Sequence, residues 1–376
     1  MSISRRRLLA ELIGGTALGS ALRPLLASGN EGPGGEVRKA VPVRLDRNEN
    51  AYGPSTQAID SIRKHAGEVS RYPLDEETLC SALAKHHSVK PEQIVIGCGS
   101  SEVLRMAANA FLDPQSELIL ALPTFGLIGR YAKGKGAKIT ALPLRKDYSH
   151  DLGGALTQAE TSRGLVYVCN PNNPTGTLTE RKDIESFLRN LPRTFRAVID
   201  EAYHHYAGGT GAYASFIDQP VDNPRVITVR TFSKIYGLAG MRVGYAVAAT
   251  EDAQKMKDER LPFGVNHLGI AGAIAALGDQ RCVIDCARKN ADDRQEFMNQ
   301  VNARMLRALN SHTNFVCLNV MRPGSEIVEH YRKNGVVLPA PIQGMPTYLR
   351  VSLGTPDEMR EFWRIWDLLG SHSMKM

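Results

Sequence analysis

The stretch Thr231-Phe-Ser-Lys-Ile-Tyr-Gly-Leu-Ala-Gly-Met-Arg-Val-Gly244 sets a lysine between small hydroxyl residues and an arginine a short loop further on. That combination suits a phosphorylated aldehyde. The Lys234 amine can bond the aldehyde carbon, while Thr231, Ser233 and Arg242 are spaced to hydrogen-bond and charge-pair with a phosphate, the arginine through its planar fork of donors. Most lysines sit on solvated surfaces, and an arginine near a serine is usually only a surface pair. Here the context differs, because Val226-Ile-Thr-Val-Arg230 before the motif and Val243-Gly-Tyr-Ala-Val247 after it read as short buried strands. A lysine at the end of a buried strand is costly to desolvate unless something there uses it.

Other polar groups fall at the ends of apolar runs. Ile94-Val-Ile-Gly-Cys-Gly-Ser-Ser-Glu-Val-Leu104 reads as a strand, a Gly-rich turn and a helix start. Ser100 and Ser101 then sit at a helix N-terminus, where free N–H groups and the dipole favour an anion, although such turns also cap helices that bind nothing. Gly164-Leu-Val-Tyr-Val-Cys-Asn-Pro-Asn-Asn-Pro-Thr-Gly-Thr177 ends a strand in a rigid turn that leaves Asn170, Asn172 and Asn173 as donors or acceptors. Ala197-Val-Ile-Asp-Glu-Ala-Tyr203 ends the next in an acidic pair. A carboxylate there needs a cationic partner, and a protonated ring nitrogen facing Asp200 would be one; a salt bridge to an arginine is the alternative. Arg350 is the one charge inside the apolar strand Tyr348-Leu-Arg-Val-Ser-Leu353, and a carboxylate ligand is its favoured partner. The polar, turn-rich Arg44–Ser55 is either a plain arm or, given its Asn, Tyr and Arg, a segment lying across a site.

Strands are expected at 117–121, 138–143, 165–169 and 196–200, with helices at 76–87, from Phe125 and at 180–190. This alternation predicts an α/β fold with a mostly parallel sheet covered by helices and ligands at the carboxyl ends of its strands. After Pro262 the pattern changes. Helices over 268–278 and 281–310, strands over 314–320 and 348–353 around a helix near 325–334, and a last helix from Pro356 predict a smaller α+β lobe. The expected organisation is a signal segment over 1–27, a linker and N-terminal arm over 28–70, a large domain over 71–265 and a small one over 266–376.

With 376 residues, 43% hydrophobic and 23% charged, the composition is that of a globular enzyme of two lobes, with no apolar run long enough to span a bilayer. The net charge of +7 falls to +4 without residues 1–27, and no basic stripe interleaved with aromatics argues for nucleic acid. Ser4-Arg-Arg-Arg-Leu-Leu9, a weakly apolar stretch to Leu22 and Leu25-Leu-Ala-Ser28 resemble a twin-arginine export signal, which places the protein in the periplasm. An amphipathic extension of a cytoplasmic protein is the alternative. The six cysteines include no CxxC pair, and Cys282 and Cys286 share one face of an expected helix, so neither a structural disulfide nor a metal site is expected.

Taken together, Asn-Pro-Asn-Asn-Pro-Thr-Gly, Asp-Glu-Ala-Tyr, Thr-Phe-Ser-Lys with an arginine eight residues on, and Leu-Arg-Val-Ser-Leu-Gly-Thr resemble, in order, the pyridoxal-phosphate aminotransferases of fold type I, class I/II. The resemblance is closest to their histidinol-phosphate aminotransferase-like branch and runs from about residue 41 to the end. It implies pyridoxal 5'-phosphate on Lys234, which also moves the proton between the substrate Cα and the cofactor. Asp200 would keep the pyridine nitrogen protonated, Asn173 and Tyr203 would hydrogen-bond the ring oxygen, and Phe125 would stack on the ring. Ser100, Ser101, Ser233 and Arg242 would hold the phosphate. Tyr52 would reach the phosphate of a neighbouring subunit, which implies a homodimer with shared active sites, and Arg350 would clamp the substrate carboxylate, with Tyr52 and Asn173 also facing the substrate. The implied reaction moves an amino group between an amino acid and a 2-oxo acid.

The chain departs from that branch at Pro339, where an arginine usually binds the substrate phosphate. A non-phosphorylated substrate is therefore expected, and the export signal points the same way. Decarboxylation or elimination on the same frame is the alternative, because the bond that breaks depends on which one stands perpendicular to the ring. An exported binding protein without turnover is a third reading, against which the full set of cofactor ligands speaks. Tyr52, His267, Pro339 and Gln343 are candidates to line the side-chain pocket.

Overall fold

The computed structural model describes residues 42–73 and 76–370 and begins with a two-residue strand, β1 (Val43–Arg44). The export-signal segment expected over 1–27 lies outside the described residues. The central sheet is built from β2 (Ile94–Cys98), β3 (Glu117–Leu122), β4 (Lys138–Pro143), β5 (Gly164–Cys169), β6 (Phe195–Asp200), β7 (Val226–Thr231) and β8 (Val243–Val247), in the order β2-β8-β7-β6-β5-β3-β4. Both of its faces are covered, which is why β5 is apolar throughout rather than alternating. Leu165, Tyr167, Val198 and Val229 pack on one side with Val103 and Ala107 of the helix Gly99–Phe111. Val166, Val168, Ala197 and Ile199 pack on the other with Ile184 and Phe187 of the helix Arg181–Asn190.

All neighbours in this sheet are parallel except β8, which is antiparallel to both β2 and β7. A parallel return would need a crossover of a dozen or more residues, and the loop from β7 to β8 spans 232–242 without one. The Lys234 motif is that loop. It therefore lies at the same edge as the carboxyl ends of β2, β5 and β6.

The C-terminal part carries β9 (Arg307–Ala308), β10 (Phe315–Asn319), β11 (Val336–Val337) and β12 (Tyr348–Ser352), with β10 antiparallel between β12 and β9. β1 pairs with β11 in parallel, and Leu45 is buried with Phe297, Val316, Val351 and Trp363. This stitches the start of the arm to the C-terminal sheet and presents Asp46–Glu49 to the edge where Lys234 lies. The helix His267–Gly278 rests against the helix Thr56–His65, with Gly272 close on Ile62. The described residues form one compact unit.

The helix expected over 281–310 is Gln280–Ala303. It stops because Arg307 and Ala308 are taken by β10 as partners of Asn319 and Leu318, and Met305 turns the chain with φ 54°. Tertiary pairing overrides the helical pattern there. Among the described residues no helix is long and apolar enough to cross a membrane.

Candidate active site

The carboxyl ends of β5, β6 and β7, the start of the helix Gly99–Phe111 and the arm enclose a cavity of about 570 Å³. Lys234, Asp200, Tyr203, Asn173, Ser100, Ser101, Phe125, Thr231, Ser233, Arg242 and Arg350 all line it. Residues spread over 250 positions of sequence are brought together because each ends or follows a strand of the central sheet, except Arg350, which lies within β12.

Lys234 Nζ donates to the backbone oxygens of Arg47 and Asn48, each at 3.0 Å. Burial, and then the Arg350 guanidinium, lower its pKa to about 8. At neutral pH a usable fraction of the amine is therefore unprotonated. Asp200 Oδ2 accepts from the Tyr167 hydroxyl at 2.8 Å and Oδ1 from the Ala202 N–H at 3.0 Å. Burial raises its carboxyl to about 6 against these bonds. Adjacent residues on a strand face opposite sides, so Asp200 faces the cavity while Glu201 turns away and takes Arg230 as its partner at 3.1 Å. The arginine salt bridge belongs to Glu201, not to Asp200.

The Tyr203 hydroxyl accepts from Asn48 Nδ2 at 2.9 Å and from Asn173 Nδ2 at 3.3 Å. Asn173 Oδ1 in turn accepts from Arg350 Nη1 at 2.8 Å, and Arg350 Nη2 donates to the Asp46 carbonyl at 2.6 Å. Arg350 Nε is buried without a partner. At the opposite wall, Arg242 Nη1 donates to Ser233 Oγ at 3.3 Å and to the Ala239 carbonyl at 3.0 Å, beside Ser100 and Ser101 in the first turn of their helix. Gly99 has φ +74°, and a Cβ there would collide with the Arg242 guanidinium. A Cβ at Gly244 would likewise collide with the Ser100 N–H, so both glycines are required by close approach.

These groups fit pyridoxal 5'-phosphate. Helix N–H groups, serine hydroxyls and Arg242 make an anion cradle, a depressed lysine suits an aldehyde, and Asp200 is a buried carboxylate with no side-chain cation bonded to it. A protonated ring nitrogen would supply that missing charge.

Tyr52 lies outside this cavity. Its hydroxyl donates to Asp293 Oδ2 at 2.6 Å, with Lys289 Nζ 4.9 Å from its ring centre. His267 lies outside as well, paired with Glu68 at 2.7 Å at the start of a helix that Asn266 caps by accepting from the Gly269 N–H. Pro339 and Gln343 line a second cavity that reaches Arg350. His204 and His205 are held well below the usual imidazole range by burial, and among the described residues no cluster of three metal-ligating side chains occurs.

Two residues of the site were not singled out from the sequence. Asn48 has φ 54°, a left-handed conformation that asparagine tolerates, and its carbonyl and amide touch both Lys234 and Tyr203. Its signal was the Asn-rich arm, which does lie across the site. Tyr167 is hidden in an apolar strand, where only its hydroxyl marks it.

The aminotransferase class I and II family matches residues 41–364. A histidinol-phosphate aminotransferase from Bacillus licheniformis is 35% identical over 322 residues, which is 85% of this chain and 89% of that protein. One from Bacillus subtilis is 33% identical over 86% of this chain and 90% of its own length. The crystal structure of histidinol-phosphate aminotransferase from Sinorhizobium meliloti in complex with pyridoxal-5'-phosphate superimposes with a TM-score of 0.81 at 30% identity, covering 88% of this chain and 92% of that one.

Proposed function

The chain belongs to the class I and II aminotransferases and uses pyridoxal 5'-phosphate, and on that premise we propose that it takes the amino group of a phosphorylated amino alcohol of the histidinol-phosphate kind, passes it to a 2-oxo acid, and works as a homodimer with shared sites. The names of the relatives carry the substrate reading, and they stand against the expectation of a non-phosphorylated one. A second reading, a donor whose anion is an α-carboxylate, is favoured by Pro339, which offers no guanidinium beside Arg350.

When bound, the cofactor supplies an electron sink for the pair left behind when the substrate Cα loses its proton. The chain's residues do the rest. Arg350, anchored by Asn173 and the Asp46 carbonyl, lines the cavity and keeps its charge for the substrate anion. Lys234 Nζ, with its pKa near 8, accepts the Cα proton and returns it. Asn48 and Asn173 hold the Tyr203 hydroxyl in place, and the buried Asp200 carboxylate opposes positive charge at the ring nitrogen.

The test offers the holoenzyme histidinol phosphate, histidine and a range of other amino acids singly, with a 2-oxo acid acceptor, and follows release of each oxo product. Histidinol phosphate is expected to give the highest kcat/KM. Arg350→Gln should lower that value on the order of a hundredfold, as loss of one partner of a desolvated charge pair does. A higher kcat/KM for an unphosphorylated amino acid would overturn the first reading and establish the second.

A further inference from the structure

The consecutive carbonyls of Arg47, Asn48 and Glu49 have different partners. Those of Arg47 and Asn48 accept from Lys234 Nζ, while those of Asn48 and Glu49 accept from Asn314 Nδ2, at 3.0 and 3.1 Å. The Asn48 carbonyl therefore has both of its lone pairs engaged, one by the lysine amine and one by Asn314, which lies 266 residues away in sequence. The rest of Asn48 is fixed by other groups, its N–H donating to Ser352 Oγ at 2.8 Å and its Nδ2 to the Tyr203 hydroxyl at 2.9 Å. The carbonyl end is what Asn314 holds.

The Asn314 amide is kept for its donors. Its Oδ1 is buried without a partner, and turning the amide over would aim that oxygen at the two carbonyls instead. An orphaned buried acceptor is costly, so the grip on the arm is the interaction that offsets it. The backbone beneath is braced from several sides. Asn314 ends the loop between β9 and β10, and the preceding Thr313 carbonyl accepts from Asn290 Nδ2 at 3.2 Å and Arg294 Nη1 at 3.1 Å, both on the helix Gln280–Ala303. The His312 N–H donates to the Gly176 carbonyl at 2.8 Å, and the Leu353 N–H to the Asn314 carbonyl at 2.9 Å. This loop is thus tied to the long helix, to the turn after β5 and to the end of β12. A lysine amine at the tip of a flexible four-carbon stem is aimed by its acceptors, and here the acceptors are held by a rigid frame.

We infer that Asn314 is a positioning residue for the Lys234 amine: by gripping the Asn48 and Glu49 carbonyls it fixes the acceptors that aim the free amine at the atom whose proton it moves. The inference rests on the reading that Lys234 moves the substrate Cα proton, and it is independent of which donor supplies that proton.

The test replaces Asn314 with alanine and separates binding from proton transfer. In Asn314→Ala the KM of the best donor should stay within about twofold while kcat falls at least about tenfold, because a small misplacement of a reacting group is felt in the rate. The isotope effect on kcat for a donor deuterated at Cα should rise as proton transfer becomes the slow step, a change that lost stability alone does not produce. A second readout needs no turnover. The cofactor-free variant should condense with pyridoxal 5'-phosphate, with loss of water, several-fold more slowly than wild type, yet bind pyridoxamine 5'-phosphate, which makes no bond to the lysine, equally tightly. Asn290→Ala leaves Arg294 on the Thr313 carbonyl and should show the same changes in smaller measure, so the inference is tested even where Asn314→Ala does not fold. An unchanged isotope effect and capture rate in the folded variants, or equal losses of affinity for the two forms of the cofactor, would overturn it. Undiminished turnover in Lys234→Ala would instead overturn the reading of the lysine on which it rests.

Discussion

Asp200 and Glu201 are consecutive carboxylates with opposite fates. Glu201 is fully paired with Arg230 and Ser215, whereas Asp200 has only the Tyr167 hydroxyl and one backbone N–H. The folded pKa of Asp200, about 6, lies above its ordinary value of 3.8. In the cofactor-free protein the native state therefore binds the extra proton, and this residue's contribution to stability falls as pH rises from about 4 to about 6. The shift corresponds to about 3 kcal/mol at pH 7. Asp200→Asn should accordingly stabilise the cofactor-free protein at pH 7 by up to that amount and flatten its stability between pH 4 and 6, while weakening cofactor retention. Tyr167→Phe removes a bond to the ionised form, so it should lower cofactor-free stability at pH 7 and move the acid limb of cofactor affinity upward. Urea unfolding of the three proteins across pH checks both; an unchanged slope in Asp200→Asn would show that the carboxyl is not the strained group.

At the scale of elements, the loop between β7 and β8 does most of the positioning, and its antiparallel return brings Gly244 against the Gly99–Ser100 backbone. Gly244→Ala puts a Cβ into that backbone contact, where neither side can yield by rotating a side chain. It should destabilise the protein by about 2 kcal/mol, as overpacking does, and weaken cofactor binding at least tenfold. Gly134→Ala, whose Cβ meets nothing within 4 Å, is the control. Cofactor titration by fluorescence and thermal unfolding would separate the two, and equal behaviour would refute the close-approach argument. Much of this framework is legible in the residues: the apolar runs of β2 to β8 and the hydroxyl, lysine and arginine spacing are local signals. What is not legible depends on partners distant in sequence. Nothing near Arg307 says that it pairs with Asn319, nothing near Asn48 says that its carbonyl meets Lys234, and the helix His267–Gly278 reveals its place only when Ile62 is seen against Gly272. Tyr167 was unreadable for a related reason, since a tyrosine in a buried strand looks like core until its hydroxyl is seen bonded to Asp200.

The arm is where the whole molecule enters the argument. Its first part, Asp46–Glu49, lines the cavity of its own chain, yet three residues later Tyr52 turns away from that cavity and is held by Asp293 and Lys289 on the long helix Gln280–Ala303. A tyrosine that completes a cofactor phosphate site from there serves a second copy, as the proposed homodimer requires. Each site would then need Lys234 from one subunit and Tyr52 from the other. Tyr52→Ala and Lys234→Ala variants should each be impaired alone, the first through weakened cofactor binding and the second through loss of the amine. Co-refolded in equal amounts, they should regain activity, because half of the randomly formed dimers carry one site with both wild-type residues, giving about a quarter of the wild-type activity per protomer in a twofold-symmetric assembly. Sedimentation would confirm that the mixture is dimeric. Recovery absent from a dimeric mixture, or a Tyr52→Ala protein with undiminished cofactor affinity, would mean that each subunit's site is complete within its own chain and that Tyr52 serves only to brace the arm against the helix.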